Sequence, residues 1–155
     1  MTNNILKQSI EFTNEQYLAL MKAVYLGNWV ANAYRIDDTK KEYEAIEDYI
    51  FSFAPKFGLA RFMDHEAADG DRYYPTRAFE EETDVHELHD EYDEETVWDE
   101  LAEWLGERDF FKRYSEAEIE AMSREAYFIK KSECVAVYEK EFERHGIERV
   151  RIAKK

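Results

Sequence analysis

The sequence predicts a mainly α-helical protein, because two kinds of helix signal recur along the chain. Apolar residues return every three or four positions over several long segments, which is the period of an amphipathic helix. At the start of three of these segments, Thr or Ser is followed three residues later by Glu or Gln, the pattern of a capping box. We therefore expect a compact bundle of about five helices.

Capping boxes predict the first two helices. Thr13 with Gln16 opens a first helix, and a long uncharged stretch within it predicts that this is the central buried helix. Thr39 with Glu42 opens a second helix, which Pro55 ends because proline cannot continue a helix interior. We expect these two helices to pair antiparallel. The apolar face expected on the second helix consists of Tyr43, Ile46, Tyr49, Ile50 and Phe53.

Residues 64–79 predict an irregular loop, because a glycine, a proline and many small or polar residues interrupt the helical pattern. Long loops in compact domains often carry function. The aromatic residues Tyr73, Tyr74 and Phe79 can line a ligand pocket or a partner surface, since tyrosine suits contacts that are half apolar and half wet. The alternative is that they fasten the loop to the core, and the sequence does not decide between the two.

The negative charge of the chain is concentrated in one segment, residues 80–109. Its 15 acidic residues and single basic residue, Arg108, give −14 of the net charge of −15. Asp93 is a plausible N-cap for a helix here, with carboxylates in the first turn, where the helix dipole favours them. The apolar side expected on this helix consists of Val97, Leu101, Trp104, Leu105 and Phe111. The acidic face expected on its other side, a candidate partner-binding surface, consists of Asp99, Glu100, Glu103 and Glu107.

The last third of the chain predicts further helix and a short strand. Ser115 with Glu118 forms a third capping box, and Ser123 marks a restart of the helix after a bend. The buried stripe expected on it consists of Phe128, Val135, Tyr138 and Phe142. Alternation of polar and apolar residues in Ser9–Thr13 and Glu148–Ile152 is typical of strands, so these two segments can form a small two-stranded β pairing of the chain termini.

The bulk composition bounds the class of protein. A length of 155 residues with 45% hydrophobic residues predicts one domain, residues 1–155, with a packed core. The single cysteine, Cys134, excludes an intramolecular disulfide and lies within an apolar helical stripe, which favours a buried thiol. With no signal-peptide pattern and no long apolar run, we expect a cytoplasmic protein without a membrane span.

A candidate metal site follows from His86 and His89, which fall on one face of a helix with Asp90 and Asp93 a turn further on. Imidazoles and carboxylates are reasonable ligands for zinc or another divalent metal. The spacing matches no metalloprotease motif, and solvated histidines in an acidic segment are the more ordinary interpretation. We therefore expect no cofactor, with a divalent metal as the minor alternative.

Two functions are consistent with the sequence. The concentrated negative charge favours a non-enzymatic protein that binds a basic protein partner, as an inhibitor, an immunity-type protein or a DNA mimic does. The same charge argues against direct binding to nucleic acid or to an anionic membrane, and it makes no prediction of the oligomeric state. The alternative is a metal-dependent enzyme or small-ligand-binding protein that uses His86, His89 and nearby carboxylates. A third interpretation is that the acidic segment serves only solubility.

Overall fold

The computed structural model describes residues 8–152, and these are mainly α-helical, as predicted. Within this range lie six α-helices, a two-stranded sheet and short 3₁₀ turns. No helix in the described range is both long and apolar enough to cross a membrane. The elements in chain order are α1 (Asn14–Asn32), α2 (Lys41–Phe51), β1 (Met63–Glu66), β2 (Arg72–Pro75), α3 (Arg77–Glu82), α4 (Val85–Arg113), α5 (Glu116–Glu120) and α6 (Arg124–His145).

The described residues divide into two compact units, which fall within Met1–His89 and Asp90–Lys155. The first unit contains α1, α2, α3, the sheet and the start of α4, and the second contains the rest of α4 with α5 and α6. The first unit has an aromatic core in which the rings of Phe51 and Phe62 each pack edge to face on Phe79. In the second unit, the buried residues include Phe110, whose ring contacts those of Tyr114 and Tyr127.

Helix α1 begins where the sequence predicts. The Thr13 side chain accepts a hydrogen bond from the Gln16 backbone at 3.2 Å, and the Gln16 side chain accepts one from the Thr13 backbone at 2.9 Å. This reciprocal capping box satisfies two N–H groups that a helix start leaves without partners. Tyr17 and Met21 are the buried residues of α1, and the Tyr17 hydroxyl donates to the backbone carbonyl of Ile50.

The predicted capping box of α2 is wrong. The N-cap is Lys40 rather than Thr39, and no side chain caps the helix. The Lys40 backbone N–H instead donates to Oδ1 of Asn32 at 2.6 Å, and Nδ2 of Asn32 donates to the Lys40 carbonyl at 3.2 Å. Because this contact fixes the entry to α2, a tertiary interaction places the helix start one residue later than the local pattern indicates.

The apolar face predicted for α2 is also displaced. Tyr43, Ile46 and Tyr49 are exposed, whereas Phe51 is fully buried together with the carboxyl group of Glu47. Helix α2 packs on α1 and β2 through the face that carries these two residues. Because the inner face of α2 contains an acidic residue, the pattern of apolar residues predicted the wrong side of the helix as buried.

The predicted loop at 64–79 contains regular structure instead. Strands β1 and β2 pair antiparallel with His65 opposite Tyr73, and α3 follows directly. Gly70 has φ 78° and Asp71 has φ 63°, the left-handed conformation that such a tight reversal requires. The strands are only four residues long, so they present too little alternation for a sequence pattern to reveal.

The predicted β pairing of Ser9–Thr13 with Glu148–Ile152 is wrong, because neither segment forms a strand in the described chain. In the first segment, Phe12 packs against the core of its unit, and its ring centroid lies 6.1 Å from that of Tyr17. Ile10, which the alternation places on the same side as Phe12, is 76% exposed.

The second of these segments forms turns. Gly146 ends α6 with φ 49°, a positive value that glycine adopts without strain. Beyond it, the Glu148 N–H donates to the His145 carbonyl and the Val150 N–H to the Ile147 carbonyl, each at 3.0 Å. Backbone groups used in successive turns are not available to a strand ladder.

Helix α4 begins eight residues before the predicted N-cap, at Val85, so Asp93 lies inside the helix. Val85 is fully buried in the core of the first unit, and the Leu88 N–H already donates to the Asp84 carbonyl. Asp84, a residue type favoured at helix N-caps, directly precedes the helix, and the buried side chain of Val85 holds its first turn in the core.

Candidate partner-binding groove

The acidic segment lies largely on α4, which packs against α6 in the second unit. At Gly106, an added Cβ atom would lie 2.6 Å from both Cα and Cγ2 of Val135. This distance is shorter than any real Cβ contact, so only glycine allows the two helices to approach this closely. Gly106 therefore sets how closely α4 and α6 approach, and this distance sets the depth of the depression between them.

A groove runs along α4 and α6 beside this crossing. It consists of two neighbouring depressions of about 360 Å³ each, and Glu139 borders both. We call it the acidic groove, because five carboxylate side chains line it. They are Glu95, Asp99 and Glu103 on α4 and Glu139 and Glu143 on α6.

The helical repeat explains this arrangement of charge. The three acids of α4 are spaced by four residues, as are the two of α6, and residues at that spacing share one side of a helix. Like charges at this spacing repel by a few tenths of a kcal/mol per pair. The arrangement therefore costs stability unless a cation is close by.

We call the acids of α4 and those of α6 the two acidic rims of the groove. Apolar residues lie between them. Val135 is 8% exposed, and the rings of Trp98 and Phe142 lie 5.3 Å apart between centroids. Phe128, at the other end of the groove, is 54% exposed although the sequence predicts it to be buried. The groove thus offers apolar surface along its floor and carboxylates along both sides.

Lys131 is the basic residue among those lining the described depressions, and it is already paired. Its Nζ lies 2.6 Å from Glu103 and 3.2 Å from Glu107, and the side chain is 20% exposed. The hydrogen bond with Glu103 raises the pKa of Lys131, so the lysine stays charged. It offsets two carboxylates of α4 and leaves Glu95, Asp99, Glu139 and Glu143 for an external cation.

Asp109, at the end of the acidic segment, has a structural role. Its carboxylate accepts a hydrogen bond from the Tyr138 hydroxyl on α6, and Arg108 donates to both Asp109 and Tyr138 at 2.9 Å. The hydrogen bond from Arg108 is the main reason that the pKa of Asp109 is lowered to about 2. This cluster joins α4 to α6 and so fixes the position of one wall of the groove relative to the other.

The four acids predicted to form one partner surface lie in different surroundings. Asp99 and Glu103 line the acidic groove, Glu107 pairs with Lys131, and Glu100 is exposed outside the lining of the groove. Two of the four therefore contribute carboxylates to the groove directly. Their use in binding stays a prediction.

The apolar side predicted for α4 is wrong at three positions. Val97, Trp104 and Phe111 are 58%, 62% and 54% exposed, whereas Ala102 and Phe110 are buried. The close contact of Gly106 with Val135 turns the face that carries Ala102 and Phe110 inward, and Val97, Trp104 and Phe111 are therefore directed outward.

The structure places the predicted metal ligands in unlike surroundings. His86 is exposed with Nε2 4.0 Å from Glu80, whereas the half-buried His89 ring packs edge to face on Trp29 at 3.7 Å between centroids. Asp90 and Asp93 are exposed. Among the described residues, no group of three or more His, Cys, Asp or Glu is arranged to hold a metal ion. The metal site stays a prediction.

The three aromatic residues of the predicted loop separate into core and surface. Phe79 is fully buried and so cannot line a surface; it fastens the segment to the core, the alternative that the sequence left open. Tyr73 is half-buried and stacks on His65 at 4.4 Å. Tyr74 is 38% exposed.

Glu95, Trp98, Glu139, Phe142 and Glu143 belong to the groove but were not predicted to act together. The spacing of four residues within each helix is a signal for the acidic rims. Nothing local shows that these two rims face each other, because that depends on contacts between separate helices, such as those of Gly106 with Val135 and of Asp109 with Tyr138. Cys134 is buried beside this region, as predicted.

No family model matches this chain, and neither a curated protein nor a solved structure matches it.

Proposed function

We propose that this protein is a non-enzymatic interaction protein that binds a basic segment of another protein in the acidic groove. The class includes inhibitors, immunity-type proteins and DNA mimics whose partners are basic proteins. The observation that carries the proposal is the pairing of two acidic rims with an apolar floor between them.

The electrostatics of the groove support this assignment. Carboxylates at both sides of a narrow groove raise the local concentration of a cationic partner and accelerate its approach. Because the groove's lysine is held by Glu103 and Glu107, it does not offset the other four carboxylates. A bound cation would relieve the repulsion between these carboxylates.

The apolar floor of the groove supplies binding energy that the carboxylates alone do not. Exposed ion pairs contribute at most about 1 kcal/mol each, so a groove of charges without apolar contacts binds weakly. Aromatic side chains at the centre of an interface supply much of the binding energy in known complexes. Trp98 and Phe142 line the groove with ring centroids 5.3 Å apart, which supports this role for the pair.

The proposal is tested by neutralising groove carboxylates and comparing the result with a variant of equal charge. The groove variant carries Glu95→Gln, Asp99→Asn and Glu139→Gln. The control variant carries Glu94→Gln, Glu100→Gln and Glu133→Gln, which are exposed positions on the same two helices outside the groove lining. Isothermal titration calorimetry with a polylysine of about 20 residues, chosen to exceed the length of the groove, measures both affinities.

We expect the groove variant to bind polylysine about tenfold more weakly than the native protein, and the control variant to change the affinity by less than about threefold. Unfolding curves of both variants, followed by circular dichroism, establish that each is folded. Equal weakening in the two variants would show that the peptide responds to net charge alone, and the groove would lose its assigned role.

A further inference from the structure

We infer that the segment bound in the acidic groove is a single amphipathic α-helix, with an apolar stripe flanked on both sides by Lys or Arg. The inference rests on the proposed function and states the shape of the partner. It follows from the length of the groove, from the structure of its walls and from the positions of its charges.

The groove has the dimensions of a helix seat. On α6 its lining runs from Phe128 to Glu143, which corresponds to about 22 Å of helix at 1.5 Å per residue. Two packed helices leave a furrow between them in which a third helix lies at the usual interaxial distance of about 8–10 Å. A helix of about 15 residues therefore covers the groove from end to end.

The walls of the groove favour a helix over an extended peptide. In the described part of the second unit, the backbone forms helices and turns, and it offers no strand edge to an added strand. An extended peptide over Val135 and Phe142 would lose water from its backbone N–H and C=O groups without gaining partners. A helix satisfies its own backbone hydrogen bonds, so it can cover the apolar floor without that cost.

The charges specify the pattern on the bound helix. The acids of α4 and those of α6 stand on opposite sides of the floor, so a complementary helix carries basic residues on both flanks. Between the flanks, apolar residues spaced by three and four positions meet Trp98, Val135 and Phe142. A uniformly basic helix lacks these contacts, and a purely apolar one leaves the carboxylates without partners.

The test uses the full chain and three synthetic peptides of about 15 residues with identical composition. The first carries Leu at helical spacing with Lys on both flanks. The second has the same residues in an order that disperses the apolar stripe, and the third repeats the first sequence with alternate D-residues, which prevent a regular helix. Calorimetry gives the affinities, and circular dichroism reports whether the bound peptide gains helix.

We expect the first peptide to bind at least about tenfold more tightly than the other two and to gain helix on binding. Asp99→Lys with Glu143→Lys is expected to abolish this preference, whereas Glu100→Lys with Glu133→Lys, the same charge change outside the groove lining, is expected to retain it. If the native protein bound all three peptides with equal affinity, and Asp99→Lys with Glu143→Lys still weakened that binding, the helix inference would be overturned. The proposed binding of a basic segment would remain. If the native protein bound none of the three peptides, both the helix inference and the proposed function would be overturned.

Discussion

The side chain of Glu47 lies inside the first unit, on the face of α2 that also carries Phe51. Burial raises the pKa of this carboxyl group to about 7, and the Asn28 side chain, which hydrogen-bonds it, opposes the shift. The group is therefore protonated in the folded protein at pH values where it is ionised in the unfolded chain. Ionising it in the folded state costs stability.

We expect Glu47→Gln to make the protein more stable than the native chain at pH 8, by about 3 kcal/mol, and to have little effect near pH 4. A raised carboxyl pKa contributes stability that is present below the unfolded value of about 4.3 and is lost as the pH rises through about 7. Glutamine keeps the uncharged form at every pH. Urea unfolding between pH 4 and pH 8 measures the difference.

Glu44→Gln is the matched control, because this neighbouring acid of α2 shifts the opposite way. The hydrogen bond from Lys41 lowers the pKa of Glu44, so its contribution to stability is present at neutral pH and is lost as the pH falls. The control is expected to be neutral or slightly destabilising at pH 8. A pH-independent effect of Glu47→Gln would show that the carboxyl group titrates normally.

The crossing of α4 and α6 depends on Gly106. Replacement by alanine puts a methyl group within 2.6 Å of Val135, against the backbone as well as the side chain. Because the obstacle includes the Cα atom of Val135, a rotamer change cannot relieve it. The helices must move apart, and the Trp98–Phe142 contact that forms the floor of the groove must change with them.

We expect Gly106→Ala to lower the free energy of unfolding by about 3 kcal/mol, the usual scale of overpacking. Gly27→Ala in α1 is the control: nothing lies within 4 Å of the added methyl, so the greater helix propensity of alanine should stabilise the protein by about 0.5–1 kcal/mol. Chemical denaturation of both variants, followed by circular dichroism, gives the two values. A stabilising Gly106→Ala would contradict the close crossing.

The net charge of −15, summed over the chain, governs how fast a basic partner arrives. Steering depends on the summed field of the chain, whereas the lifetime of a complex depends on contacts at the binding surface. The two contributions can therefore be separated by kinetics.

For the helical Lys-flanked peptide, we expect the association rate constant to fall about tenfold or more between roughly 20 mM and 500 mM salt. The groove and control variants lose equal charge, so both should slow association to a similar extent, but only the groove variant should speed dissociation. Stopped-flow fluorescence measures both rates. Faster dissociation of the control variant would place the contact surface outside the groove.

Local features of the sequence determined the helical class and three of the six helix starts in the described residues. The caps at Thr13, Ser115 and Ser123 are hydrogen bonds between residues three positions apart, so the pattern that predicts them also contains both partners. The concentration of acid in residues 80–109 is likewise visible without a structure. These features depend on neighbours in the chain and need no knowledge of packing.

Tertiary contacts decided the rest. Asn32 fixed the entry to α2, the core of the first unit buried Val85 at the start of α4, and Gly106 turned the face with Ala102 and Phe110 inward while Trp104 became exposed. Each outcome depends on a partner outside the helix concerned, and hydrophobic periodicity carries no information about that partner. The acidic groove is the result of these contacts, because Asp99 and Glu143 share it only once α4 and α6 have packed.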